Sequence, residues 1–223
     1  LASDLKSTIT PDSKLQIAAA CFSIYAYQEL KDQLKDISEL QFIFTSPTFT
    51  TEKTSKKEKR EFYIPKLSRE KVLYGTEFEI KLRNEMSQKA IARECADWIK
   101  DKVTFKSNVT DKVMNGFMNV LTPEEQFTYI PVNEFTTVDL GTEQGNYAYN
   151  FKQRFKAPVS QNYLQTFDTL WNDKEKLQDV TEKVLDNITS VYNENAPEFI
   201  YFLTLYNIFN EFLEDISEDV LPH

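Results

Sequence analysis

Residues 15–22 read L-Q-I-A-A-A-C-F and residues 40–45 read L-Q-F-I-F-T. Both runs are short and almost wholly apolar. Neither leaves room for the polar face of a surface helix, so each is expected to be a strand buried on both sides. Between them Leu30, Leu34 and Ile37 recur at helical spacing within residues 25–37, the pattern of a helix with one buried face. Ser23 stands just before that helix, where a hydroxyl can accept a free backbone N–H as an N-cap. Strand, helix and strand at this pitch make a βαβ unit whose strands run parallel. An α/β fold follows.

Working outward, residues 47–60 are a polar stretch with a basic run, Lys53, Lys56, Lys57, Lys59 and Arg60, continued by Lys66, Arg69 and Lys71. Two readings stand side by side. The run is a solvated loop, or it is a loop that contacts phosphates. Residues 77–102 carry Phe78, Leu82, Met86, Ile91, Cys95, Trp98 and Ile99 as an apolar stripe. Thr76 and Glu79 have the spacing of a capping box at its start. This helix delivers the chain into residues 103–108, a predicted strand with Thr104 and Lys106 on one face by period two.

Further strands are expected over 117–121 and 127–130, joined by a turn at Thr122-Pro123. Residues 147–155 alternate and read as an edge or late strand. Residues 159–171 read as a helix with Tyr163, Leu164, Phe167 and Trp171 on its aromatic face. Two amphipathic helices are then expected. Residues 176–192 carry Val180, Val184, Ile188 and Val191. Residues 196–216 carry Phe199, Phe202, Tyr206, Phe209, Leu213 and Ile216, with Pro197 in the first turn. The change of character near residues 172–176 divides the chain into a domain of residues 1–173 and a helical extension of residues 174–223.

Composition narrows the function. The 223 residues carry 41% hydrophobic side chains, enough for a core. The formal net charge of −9 disfavours nonspecific nucleic-acid binding by the chain as a whole, but leaves room for a local basic site. Cys21 and Cys95 both lie in apolar surroundings, as buried free thiols of a reducing compartment do. No apolar run reaches the ~20 residues of a membrane span and no leader opens the chain, so a cytoplasmic protein with no membrane contact is expected. The chain starts without Met and stops at Leu221-Pro222-His223, which is read as a piece of a larger machine. No phosphate-binding G-x-x-x-x-G-K-[ST] pattern occurs, and no Cys/His cluster suits zinc. No cofactor and no metal are expected in this piece.

Thr104, Lys106 and Asp111 have the spacing T-x-K-x-x-x-x-D. This resembles the H-x-K-x-x-x-x-D motif of the phospholipase D-like family, with threonine in place of the nucleophilic histidine. Asn133, Phe135-Thr136 and Leu140-Gly141 resemble the G-S-x-N-F-T-x-x-G-L-like segment that follows in that family. Here Pro131 and Val132 replace Gly-Ser, Glu134 is inserted and Asp139 replaces a glycine. The runs L-x-x-F-x-x-L-W-N-D (164–173) and L-Q-I-A-A-A-C-F-S-I-Y (15–25) are similar to those of phospholipase D-like domains at the N-terminus of bacterial Snf-type helicases. The resemblance covers residues 15–173.

It implies a mixed sheet flanked by helices, followed by a C-terminal helical segment. In the family the motif histidine attacks phosphorus, a second histidine protonates the leaving group and the lysine stabilises charge on the phosphoryl oxygens. Here the single histidine is His223, so no catalytic residue is assigned. Thr104, Lys106, Asp111 and Asn133 are degenerate motif positions. The expected role is a noncatalytic accessory module that aids DNA engagement or positions the ATP-binding motor, a hydrolase, of the same parent chain. DNA contact is expected at Lys53, Lys56, Lys57, Lys59 and Arg60. A homodimer is a further candidate assembly. Two other functions stay open: a phosphodiesterase or nuclease with altered motif chemistry, and a protein-binding adaptor.

Overall fold

The computed structural model describes residues 1–47, 77–144 and 151–193. Along the chain come α1 (Ala2–Thr8), β1 (Lys14–Ala19), α2 (Ile24–Leu34), β2 (Glu39–Phe44), α3 (Glu77–Lys102) and β3 (Val103–Asn108). They are followed by β4 (Phe117–Leu121), β5 (Gln126–Ile130), α4 (Thr137–Leu140), β6 (Gln153–Phe155), α5 (Val159–Trp171), β7 (Leu177–Asp179) and α6 (Thr181–Asn193). The seven strands form one mixed sheet in the order β6-β5-β4-β1-β2-β3-β7. Strand β2 lies parallel to β1, as the apolar runs predict, and it also lies parallel to β3. Strands β4 and β7 pair antiparallel with β1 and β3, and β5 and β6 extend the antiparallel side.

The strand pleat sorts side chains onto two unequal faces. Leu15, Ile17 and Ala19 of β1, Leu40, Phe42 and Phe44 of β2, and Val103 and Phe105 of β3 belong to the main core. Helices α1, α2, α3 and α6 contribute to this core, with Leu30, Leu34, Cys95, Ile99, Val184 and Ile188 buried in it. Its centre is aromatic: Phe22 meets the Phe105 ring edge-on at 5.2 Å, and Phe44 stacks on Phe105 at 5.6 Å. Both geometries suit the ring quadrupole. The Trp98 indole donates to the Leu34 carbonyl at 2.9 Å, so this large side chain is buried without losing its hydrogen bond. On the opposite face a smaller core of Ala18, Ile43, Phe117, Phe167 and Leu177 lies with α5.

Local signals account for the helix ends. The Ser23 hydroxyl accepts from the Tyr25 N–H at 3.2 Å, the predicted N-cap. Helix α4 begins at Thr136, which accepts from the Asp139 N–H, and ends at Gly141 in the left-handed region, φ 79°. One expected helix starts later than its periodicity implies. Residues 177–179 are strand β7, not helix, because the free edge of β3 takes them in and Leu177 fills the smaller core. The helix starts only where Asp179 accepts the Thr181 N–H at 2.9 Å. The strand expected over 147–155 is paired, within the described residues, only at Gln153–Phe155. The basic run of residues 53–71, Thr76 and the aromatic stripe of residues 199–216 lie outside the described residues, as do the side chains of Phe78, Leu82, Met86 and Val191.

Candidate functional site

Thr104 and Lys106 share the face of β3 that looks towards α5. Lys106 Nζ donates to the Trp171 carbonyl at 2.7 Å and lies 4.4 Å from the centre of the Trp171 ring. Trp171 is the last residue of α5, where the helix dipole and unpaired carbonyls favour a cation. The ammonium therefore closes the helix end and ties it to the sheet. The Thr104 hydroxyl has no hydrogen-bond partner among the described residues, so none of them is placed to activate it as a base.

The other motif positions lie elsewhere. Asp111 is exposed in the loop after β3, without an ion pair to Lys106. That loop is organised by buried Asn108. Its amide donates to the carbonyls of Thr45 and Lys112, while its oxygen accepts from the N–H and hydroxyl of Thr110. Asn133 is exposed after β5, and its carbonyl accepts from the Ala20 N–H at 2.8 Å. No hydrogen bond or ion pair among the described residues joins any two of Thr104, Lys106, Asp111 and Asn133. The DNA-contact candidates Lys53, Lys56, Lys57, Lys59 and Arg60, and His223, lie outside the described residues.

The same sheet face carries a polar row that motif reading misses. Thr128 on β5, Asn119 on β4, Gln16 on β1, Gln41 on β2 and Thr104 on β3 stand side by side in register. The Thr128 hydroxyl donates to Asn119 Oδ1 at 2.7 Å, and Asn119 Nδ2 donates to Gln16 Oε1 at 3.1 Å. Gln16 Nε2 then donates to Gln41 Oε1 at 3.3 Å and to Asp168 Oδ1 of α5 at 2.8 Å. Gln16, Asn119 and Thr128 are each at most 1% exposed. Their mutual hydrogen bonds remove most of the cost of burying amides and a hydroxyl. Asp168 is the one titratable group in these contacts. The row can orient and hydrogen-bond, but it contains no imidazole or thiol to serve as nucleophile.

A second cluster gathers at the C-terminal end of β1. Asp139 and Lys152 form a 2.6 Å ion pair with both side chains about nine-tenths buried, and Asp139 Oδ2 also accepts the Glu134 N–H at 3.0 Å. Nearby Cys21 is a free thiol whose pKa is pushed up to about 12 by burial first, then by the charges of Glu134 and Asp139. The Glu134 carboxyl is raised by burial and by Asp139. Such surroundings keep Cys21 protonated and weakly nucleophilic at neutral pH. Cys95 is likewise free, and burial raises its pKa further.

Among the described residues, no group of three or more His, Cys, Asp or Glu side chains could hold a metal ion. No described helix is long and apolar enough to cross a membrane. The chain matches no protein-family model, and no curated protein matches it.

Proposed function

We propose that this chain is a noncatalytic phospholipase D-like accessory module of an ATP-driven bacterial helicase, working in the cytoplasm on DNA engagement or motor positioning. The observation that carries the noncatalytic reading is the engagement of Lys106 by the carbonyl and ring of Trp171. A lysine that stabilises a phosphoryl group must be free to approach its oxygens. Here the ammonium ties down a helix that covers the face on which Thr104 also lies. The helicase context rests on the sequence resemblance at residues 15–25 and 164–173. The two free thiols suit the reducing compartment in which such a motor works.

The chain is therefore expected to leave a generic phosphodiester such as bis-p-nitrophenyl phosphate unhydrolysed. Turnover that disappears in Thr104→Ala or Lys106→Ala would instead establish an active phosphodiesterase.

DNA engagement is assigned to the basic run Lys53–Arg60, set against a net charge of −9. Contacts of this kind release condensed counterions, so affinity should fall steeply with salt and show little sequence preference. Fluorescence anisotropy with duplex and single-stranded DNA should reveal weak binding at low salt. The triple variant Lys56→Glu, Lys57→Glu, Lys59→Glu should lose it, with a shallower salt slope. Equal binding by the variant, or none by the wild type, would turn the reading to a protein-binding adaptor.

A further inference from the structure

We propose that α5 is a strap which undocks from the sheet as one unit, uncovering the polar row while the main core stays folded. Strands β6 and β7, which precede and follow α5, form the two opposite edges of the sheet. The segment between them therefore crosses the face, with α5 as its central part. The helix is about 20 Å long, against roughly 29 Å across seven strands. Each anchoring strand pairs over three residues only.

The strap is thinly held. Of the thirteen residues of α5, only Ser160 and Phe167 are buried. Phe167 is the wedge, meeting Phe117 edge-on at 6.2 Å and stacking on Trp171 at 5.7 Å. Tyr163, whose ring lies 5.3 Å from that of Phe117, Leu170 and Trp171 add partly buried apolar contacts, and two polar ties join them, Asp168 to Gln16 and Trp171 to Lys106. Water can replace both polar ties. Ser160 Oγ is buried without a hydrogen-bond partner, and undocking would give it one.

What lies beneath matters as much. Lifting a helix from an apolar sheet exposes apolar surface, which opposes opening. Lifting α5 exposes in good part the amides and hydroxyls of Gln16, Gln41, Asn119, Thr104 and Thr128, whose hydration offsets the lost contacts. The other face has no such offset, because Leu15, Ile17, Phe42, Phe44 and Phe105 lie there in continuous apolar contact. The two faces should therefore open at different free energies, as cooperative units of unequal stability do.

Native-state hydrogen exchange across a denaturant series tests this on the whole chain. The amides of residues 163–171 should share one opening free energy, well below the value shared by β1, β2 and β3. Ile17→Val, in the main core, should speed exchange in the strands several-fold and leave α5 unchanged. Phe167→Leu should speed both sets by the same factor, because Phe167 is packed only in the closed state. Exchange of α5 through the same opening as β1–β3 would overturn the proposal. So would progressive fraying of α5 with no common value. An Ile17→Val variant that accelerates α5 as much as the strands would do the same.

Discussion

At the scale of single residues, backbone space and backbone angle make different demands, and two glycines separate them. Gly116 stands at the entrance to β4, where an added Cβ would collide with the Val132 carbonyl. That carbonyl is backbone, and the pairing is fixed because the Val132 N–H donates to the Gly116 carbonyl at 3.1 Å. No rotamer change relieves the clash. Gly141 has open space around its Cβ position but a φ of +79°, so there a side chain meets only the left-handed penalty. Gly141→Ala should cost about 1 kcal/mol. Gly116→Ala must shift the junction of β4 with the loop after β5 and should cost ~3 kcal/mol. Urea denaturation of the two variants checks the order. Equal costs would mean that the loop at Val132 yields freely.

At the scale of elements, the sequence shows strands more clearly than it shows their neighbours. The runs that become β1 and β2 are legible because few polar side chains interrupt them, β3 because Thr104 and Lys106 alternate with Val103 and Phe105, and α3 and α5 because their stripes are long. Each of five strands also carries one polar residue between two apolar ones: L-Q-I (15–17), L-Q-F (40–42), V-T-F (103–105), M-N-V (118–120) and F-T-Y (127–129). Taken singly, each triplet is ordinary alternation. Their meaning depends on register, and register depends on β4 inserting beside β1 from far along the chain. Local periodicity carries no such information. Strand β7 escapes for another reason: Val180, Val184 and Ile188 extend a helical pattern backwards over residues whose pairing is set by the open edge of β3. The motif spacing at Thr104 and Lys106 correctly places both on one face. It does not disclose that Trp171 occupies the lysine, because the helix bringing that ring lies 65 positions further on.

For the whole molecule, the buried ionisable groups act together and set its response to alkali. The Tyr129 hydroxyl donates to Asp4 at 2.7 Å, and Asp4 is also paired with Arg154. Burial comes first among the causes that push Tyr129 up to about 12, and burial likewise raises Tyr27 and Cys21 to about 12 and raises Tyr25 and Cys95. In each case the folded state favours the neutral acid. The unfolded chain releases these protons near 9.0 for the thiols and 10.0 for the tyrosines. Below pH 9 both states hold them and stability does not change on their account. Above it the unfolded chain binds fewer protons than the folded one, so stability falls as pH rises until the folded groups titrate near 12. The growing negative charge of an already acidic chain adds repulsion in the same window. The melting temperature should therefore be level from pH 7 to about 9 and drop steadily above it. Of the eleven tyrosines, the part of the tyrosinate absorbance that Tyr25→Phe, Tyr27→Phe and Tyr129→Phe remove should appear with unfolding and not before it. Tyr129→Phe should lose about 1 kcal/mol at neutral pH through its hydrogen bonds, and should show a shallower alkaline decline. A melting temperature that stays level to pH 11, or folded-chain tyrosinate near pH 10 that is lost in Tyr25→Phe, Tyr27→Phe or Tyr129→Phe, would mean that these hydroxyls reach solvent freely.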